Sequence, residues 1–520
     1  MESGGEMNGE DKDNGINKLK TEIGGFDLIA NGGLPQGRST LVSGTSGSAK
    51  TVFAAQFLAA GVVKAKEAGV FVTFEESPED IRRNMHGFGW DIPTWEKQGR
   101  WAFVDASPEP GEPLVVAGGF DLSALLARIE HAVKKVNARR IAIDSLGGVF
   151  SQLGDGAIIR HELFRIGRAL RSLGVTSVIT AERTEEHGPI SRFGVQEFVS
   201  DNVIVLRNVL EGEVRRRTIE ILKFRGADHH KGEWPFTIVA GEGIVVIPLA
   251  ALQLKQKSSA TRISSGNAEL DRMCGGGFFR DSIILVSGPT GTGKTLVTTQ
   301  VLAGGGAAGE RCLLFAFEES REQLFRNAMG WRADFAQMEA EGRLKVICTY
   351  PEAAALEDHL ISMKKVIEQF RPDRLAVDSL SALERVATLK GFREFVIGLT
   401  SFIKHQEIPA IFTSTTSALL GGPSITENQI STTTDSILLL RYVELFGEMR
   451  RGLTVLKMRG STHEKEIREY TVDGKGMYVG GPFRNVGGIL SGQYTLIEPR
   501  GNGEHRTSDM LAVVPPGRSE

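Results

Sequence analysis

Short runs of β-branched and apolar residues recur along the chain, and each is followed by a stretch with apolar positions at helical spacing. In "STLVSGTSGSAKT" (Ser39 to Thr51) an apolar strand enters a loop of glycine and serine, and "KTVFAAQFLAAGVVKAKEAG" then continues as a helix. "VFVTFEES" (Val70 to Ser77) and "RIAIDSL" (Arg140 to Leu146) are further short strands that end in acids. Strands alternating with helices predict βαβ units, an α/β class and mostly parallel sheets flanked by helices.

The pattern is written twice. "SIILVSGPTGTGKT" (Ser282 to Thr295), "LLFAFEES" (Leu313 to Ser320), "RLAVDSL" (Arg374 to Leu380) and "VLKMRG" (Val455 to Gly460) repeat the earlier blocks in order, the last matching "ILKFRG" (Ile221 to Gly226). The offset stays at roughly 230 to 245 residues, the mark of a tandem duplication. Domains are expected at 19–250 and 266–485, with a polar linker at 251–265. An acidic, glycine-rich tail at 1–18 and a Gly/Pro/Arg-rich end at 486–520 are expected to be weakly ordered.

Composition changes this picture little. A chain of 520 residues exceeds one core, and 41% hydrophobic with 24% charged residues is a globular profile. The net charge of −3 gives no overall basic field for nucleic acid. The three cysteines form no CxxC pair, so a reducing cytoplasm is the expected compartment. No apolar run approaches the roughly 20 residues that span a bilayer, so no membrane contact is expected.

The repeated loops carry the candidate chemistry. Thr290, Gly291, Thr292, Gly293, Lys294 and Thr295 follow Gly288 in a G-x-x-x-x-G-K-T pattern between strand and helix. Glycines there let backbone N–H groups face phosphates, the lysine neutralises them, and the threonine hydroxyl holds Mg²⁺. The first copy reads Gly44, Thr45, Ser46, Gly47, Ser48, Ala49, Lys50 and Thr51, with alanine in place of the glycine before the lysine. Alanine costs about 1–2 kcal/mol if that position needs a positive φ, and nothing if it is helical. Asp144 and Asp378 end strands as Walker B acids would, to orient the Mg²⁺ shell. The pairs Glu75–Glu76 and Glu318–Glu319 also end strands, where alternation allows one carboxylate of each pair to accept a proton from the attacking group. Lys223, Arg225, Lys457 and Arg459 lie far downstream, as cations that reach a neighbouring subunit's nucleotide would. His229, His230 and His463 lack a third ligand at suitable spacing, so no transition-metal site is expected.

With these blocks in place the chain resembles the KaiC family of circadian clock kinase-ATPases, within the RecA-like superfamily. The likeness runs from about residue 19 to about residue 495 and includes both "FEES" segments, "GGFDLSAL" (Gly118 to Leu125), "EFVSDNV" and "FRNAMGW" ending at Trp331. It implies two RecA-like domains, each forming a hexameric ring with ATP and Mg²⁺ between subunits. The first ring is expected to be a slow ATPase, the second an autokinase and autophosphatase. By motif, Lys50, Thr51, Glu75 and Glu76 match the first site, with Lys223, Phe224, Arg225 and His229 reaching it from the neighbour. Lys294, Thr295, Glu318, Glu319 and Trp331 match the second, with Thr51, Thr295 and Glu318 on the metal. Arg451, Lys457, Met458, Arg459, Gly460, Ser461, His463 and Lys465 match nucleotide contacts around the second site, and Arg451, Lys457, Arg459 and His463 are expected from the neighbour. Ser431 and Thr432 match the phosphoacceptors, with Thr426 as an auxiliary site. KaiB is an implied partner of the first ring. KaiA is not carried over, because "EPRGNGEHRTSDMLAVVPPGRSE" lacks an amphipathic helical pattern.

The two copies differ where it matters. Aligned on Asp201 and Asp435, Glu197 and Phe198 stand opposite Ser431 and Thr432. Only the second copy offers hydroxyls to a γ-phosphate, which leaves water as the acceptor in the first. A DNA-acting recombinase or helicase, and a non-catalytic scaffold gated by nucleotide, are the rival readings. The first needs basic, aromatic-interleaved loops and the second needs no Glu pairs.

Overall fold

In the computed structural model of the protein, the strand Ser39–Gly44 (β1) is buried along its whole length, as an apolar run without alternation requires. Residues 16–107, 122–145, 147, 156–190, 200–211, 213–248, 258–416, 430–484, 486–489 and 495–496 are described. The chain divides into two compact units. One comprises Met1–Lys255, Glu352–Lys365 and Ile397–Ser401, and the other Gln256–Pro351, Val366–Val396 and Phe402–Glu520.

The first sheet continues with Gly69–Thr73 (β2), Trp101–Asp105 (β3), Arg140–Asp144 (β4), Thr176–Glu182 (β5) and Asn202–Glu211 (β6). Val214–Phe224 (β7), Glu233–Val239 (β8) and Gly243–Val246 (β9) complete it. Its nine strands lie in the order β3-β2-β4-β5-β1-β6-β7-β8-β9. The pairs among β1 to β6 are parallel, and β6 through β9 pair antiparallel. In the second sheet the strands are Ile283–Gly288 (β10), Cys312–Ala316 (β11), Leu344–Cys348 (β12), Arg374–Asp378 (β13) and Ala410–Thr415 (β14). Ser436–Leu445 (β15), Glu448–Met458 (β16), Arg468–Asp473 (β17) and Gly476–Pro482 (β18) follow. The order is β12-β11-β13-β14-β10-β15-β16-β17-β18, which repeats the first sheet strand for strand. Duplication of sequence is duplication of topology, and the α/β class is as the pattern predicts.

Helices cover the parallel part. Lys50–Ala60 (α1) buries Phe53, Phe57 and Leu58 against the first sheet, and Lys294–Ala307 (α3) buries Leu296, Val297 and Leu302 against the second. Neither helix has a polar face of ordinary width, because each lies between sheet and further chain. Pro78–His86 (α2) starts at Ser77, whose hydroxyl accepts the Asp80 N–H at 3.1 Å. Arg321–Gly330 (α4) starts in a capping box between Ser320 and Gln323. At the opposite ends of β4 and β13 from the Walker acids, Arg140 pairs with Glu67 at 2.6 Å and Arg374 pairs with Glu310. Both guanidiniums are buried and also donate to backbone carbonyls, so their charge is paired and hydrogen-bonded as burial demands.

The elements reach slightly beyond the expected boundaries. Lys18 pairs with Pro35 and donates from Nζ to the Ala30 carbonyl at 2.6 Å, so ordered chain begins inside the stretch expected as tail. Arg262–Ile263, inside the expected linker, pairs with Phe278–Phe279, and Val486–Gly487 pairs with Thr495–Leu496. Among the described residues no helix is long and apolar enough to cross a membrane.

Candidate active site

Each phosphate loop leaves the C-terminal end of the central strand, β1 or β10, and opens a helix, α1 or α3. Strand and helix leave little room. A Cβ on Gly44 would meet the Leu206 carbonyl oxygen at 2.7 Å, and one on Gly288 would meet that of Leu440 at 2.3 Å. The loops close alike, Ser48 Oγ donating to the Thr45 carbonyl at 2.8 Å and Thr292 Oγ1 to that of Pro289 at 2.7 Å. Gly293 has φ +95° and Ala49 φ +74°, so the alanine takes the costlier of its two conformations, at about 1–2 kcal/mol. The first loop keeps its shape despite this strain.

Both lysines fold back over their loops. Lys50 Nζ donates to the Thr45 carbonyl at 2.8 Å, and Lys294 Nζ to the Gly288 and Pro289 carbonyls, each at 2.9 Å. Burial lowers both pKa values, opposed at Lys50 by Asp144, Glu182, Glu75 and Glu186, and at Lys294 by Asp378 and Glu318. An ammonium held by carbonyls, half-buried at Lys50 and buried at Lys294, is poised to exchange them for phosphate oxygens.

The acids converge on the same end. Asp378 is pushed up by burial, while hydroxyl donation from Thr413 and Thr295 and the Lys294 charge pull it down, against Glu318. Asp144 accepts from Thr180, the counterpart of Thr413. The Glu pairs sit in the bend after β2 and β11 rather than on the strands. Even so, the members of each pair part. Glu75 accepts from Ser145 Oγ at 2.9 Å and Glu318 from Ser379 Oγ at 3.0 Å, beside the Walker acids. Glu76 and Glu319 accept instead from Asn84 and Asn327, on α2 and α4, at 3.2 and 3.1 Å. Arg385 Nη2 adds an ion pair to Glu318 at 2.9 Å. Burial and the neighbouring Asp378 raise the Glu319 pKa, the usual preparation of a general base. The hydroxyl of Thr295 on the carboxylate of Asp378 is an all-oxygen donor set that fits Mg²⁺, and in sequence Thr51 and Asp144 are the counterparts of this pair.

The downstream cations lie at the other end of the sheet. Thr40 pairs with Asn202 and Asn202 with Phe224, so Lys223 and Arg225 are level with the start of β1. Ile284 pairs with Ser436 and Ser436 with Met458, which puts Lys457 and Arg459 at the start of β10. Four residues of strand, about 13 Å, separate each group from its own loop. Lys223 Nζ donates to the Ser200 carbonyl at 2.9 Å and Arg225 faces Asp201 at 3.7 Å. Lys457 Nζ donates to the Thr434 carbonyl at 2.7 Å and Arg459 Nη2 to that of Thr432 at 2.9 Å. His229 packs on Phe224, ring centroids 5.3 Å apart, and burial lowers its pKa. Gly460 and Ser461 turn the chain here, with Ser461 Oγ accepting from Arg262 at 2.5 Å; His463 is half-buried and Lys465 exposed. Thr432 is exposed on the short helix Ile430–Thr433 that precedes β15 and also contains Ser431. Thr426, Glu197 and Phe198 lie outside the described residues.

Arg451 departs from this grouping. It pairs with Tyr442, with its guanidinium 5.8 Å from that ring, and the Tyr442 hydroxyl lies 2.7 Å from where a Cβ on Gly291 would be. Arg451 therefore belongs beside its own chain's loop, not with the cations at the far end, because six strand residues separate it from Lys457. Trp331 is half-buried at the end of α4, packed on the second core. Sequence reasoning does not single out Ser145, Ser379, Thr180, Thr413 or Arg385. The two serines do carry a signal, as the residue after the acid in both "DSL" blocks.

Comparison with known proteins identifies the family. The family model described as "ATPase: KaiC" matches residues 19–251 and again 263–482. The "Circadian clock protein KaiC3" of Synechocystis sp. is 66% identical over 92% of this chain and 94% of its own length. The "Circadian clock oscillator protein KaiC" of Thermosynechococcus vestitus is 56% identical over 93% of this chain and 92% of its own. That of Synechococcus elongatus is 54% identical over 93% and 92%. With two family matches laid over two sheets of one topology, the chain belongs to the KaiC family of ATPases.

Proposed function

We propose that this protein is a Mg·ATP-dependent Ser/Thr autokinase, with autophosphatase and slow ATPase activity, that works as a two-tiered homohexamer in circadian timing. The observation that carries the reading is the position of Thr432, Lys457 and Arg459 about 13 Å or more along the sheet from their own phosphate loop. An acceptor there cannot meet its own chain's γ-phosphate. In a closed ring it meets its neighbour's, and the cations arrive with it to offset transition-state charge.

In the second site Lys294 moves from the loop carbonyls to the phosphates, and Thr295 with Asp378 would hold Mg²⁺, which would draw charge from the phosphate oxygens. Glu319, aided by Glu318, accepts the proton of the Ser431 or Thr432 hydroxyl as its oxygen bonds to phosphorus and the ADP oxygen leaves. Arg451 serves the chain's own nucleotide and Trp331 offers a face for its base. In the first site Lys50, Thr51 and Asp144 do the holding, Glu75 and Glu76 take the proton from water, and Lys223, Arg225 and His229 approach from the neighbour. KaiB is the expected partner of the first ring, KaiA is not assigned, and the cytoplasm is the expected location.

Incubation with Mg·ATP and peptide mapping of label tests the reading, alongside light scattering with and without nucleotide. Label on Ser431 or Thr432 in a hexamer supports it. A monomer under both conditions, or label confined to other segments, rules it out.

A further inference from the structure

We infer that Glu186 is a positioning residue of the first phosphate site, a clamp on its loop for which the second copy carries no carboxylate at the matched position. This rests on the reading of that loop as an ATPase site. The carboxylate accepts from two sides: Oε1 takes the Thr45 hydroxyl, and Oε2 takes the Asn208 backbone N–H at 3.1 Å. The β1–β6 pairing ends at Gly44 opposite Leu206, so at Asn208 the strand has run past its partner. Glu186 replaces the missing strand and ties the corner of the phosphate loop to β6. The Asn208 side chain stands against the same loop, its Nδ2 3.3 Å from where a Cβ on Gly47 would be.

In sequence, the second copy carries no acid at the matched position. Matched on Gly188–Pro189 and Gly422–Pro423, Glu186 corresponds to Leu420 and Asn208 to Tyr442. The Tyr442 hydroxyl supports the second loop at Gly291 instead. The difference has two separable consequences. Through Thr45 the clamp fixes where the loop presents the phosphates to Glu75 and Glu76, and misplacement there slows chemistry. Through its charge, Glu186 joins Asp144, Glu182 and Glu75 around Lys50 and opposes the phosphates of ATP.

The test uses the full-length protein with Glu318→Gln and Glu319→Gln, so that hydrolysis reports the first site. Added to this parent, Thr45→Ala and Glu186→Gln should each lower kcat about tenfold. The double variant should fall no further, because both changes remove the same donation from the Thr45 hydroxyl, the single acceptor oxygen of the glutamine being taken by the Asn208 N–H. Only Glu186→Gln should lower KM for ATP, about tenfold, since it alone removes the charge. Additive losses, an unchanged kcat, or the same KM in both single variants would overturn the clamp. If the parent hydrolyses no ATP, the functional reading falls instead. Titration with a fluorescent ATP analogue then decides the clamp, tighter binding by Glu186→Gln supporting it and equal affinity overturning it.

Discussion

Arg459 donates from Nη2 to the carbonyl of Thr432 at 2.9 Å, tying the acceptor segment to the strand that carries the downstream cations. On the proposed reading, acceptor and cation therefore travel together to a neighbouring site. Arg459→Ala should lower phosphate incorporation at Ser431 and Thr432 by about tenfold or more, leaving first-ring hydrolysis unchanged. Labelled-ATP incorporation beside phosphate release measures both. An equal loss of the two activities would show that Arg459 acts through general stability.

Acceptor identity gives a second expectation. Ser431→Ala with Thr432→Ala should abolish most incorporation while hydrolysis in the first ring continues. A phosphate there carries about −1.5 to −2 charges, close to Asp435 and within reach of Arg459. Undiminished label in the double variant would refute the assignment.

The Glu pairs should divide the labour. Glu75→Gln with Glu76→Gln should cut hydrolysis by about 10²-fold or more, and Glu318→Gln with Glu319→Gln should chiefly suppress transfer to protein. Steady-state hydrolysis and phosphopeptide mapping on both variants separate the outcomes. Equal loss of both activities in both variants counts against specialised rings.

Strain at Ala49 is testable by itself. With φ at +74°, Ala49→Gly removes about 1–2 kcal/mol of strain against about 0.5–1 kcal/mol of added chain entropy, for a net gain of up to about 1.5 kcal/mol. Gly293→Ala, at φ +95°, should lose stability by a comparable or larger amount. Thermal unfolding of both variants without nucleotide reads the two signs.

Asp378 sets a pH dependence. Its folded pKa is raised, chiefly by burial, so the native state holds its proton more tightly than the unfolded chain. Stability without nucleotide should then fall as pH rises from the ordinary aspartate range through the raised value. Asp378→Asn should remove that slope and stabilise the nucleotide-free protein at neutral pH, while phosphotransfer is lost. A variant whose melting temperature follows the parent's pH profile would show that the slope comes from groups other than the buried Asp378 carboxyl.

Much of the site is legible in the order of residues. The repeated blocks expose the duplication, and the loops, Walker acids, Glu pairs and "KFRG" and "KMRG" segments are local strings whose chemistry does not depend on distant chain. Ser431 and Thr432 stand out only because one copy can be read against the other. The hydroxyls supporting the acids are harder to find. Thr180 and Thr413 lie on strands remote in sequence from Asp144 and Asp378, and a threonine in a strand is ordinary β-propensity.

By itself, then, the sequence determined the α/β class, the twofold repetition, the family and the inventory of phosphate-handling groups. These follow from periodicity and short motifs, which are properties of neighbouring residues. Tertiary structure alone decided which end of each sheet those groups occupy. Strand register, parallel from β10 to β15 and antiparallel from β15 to β16, sets Lys457 and Arg459 about 13 Å from their own loop and leaves Arg451 beside it, although all three lie on or next to one strand. It decided the backbone conformation of Ala49, which the loop's closure imposes on whatever residue stands there. It also brought Glu186 to Thr45, a contact across 141 positions, and left the Asn208 N–H to the same carboxylate because β6 outruns β1. Strand pairing is a nonlocal choice, and no local pattern encodes where a partner strand ends.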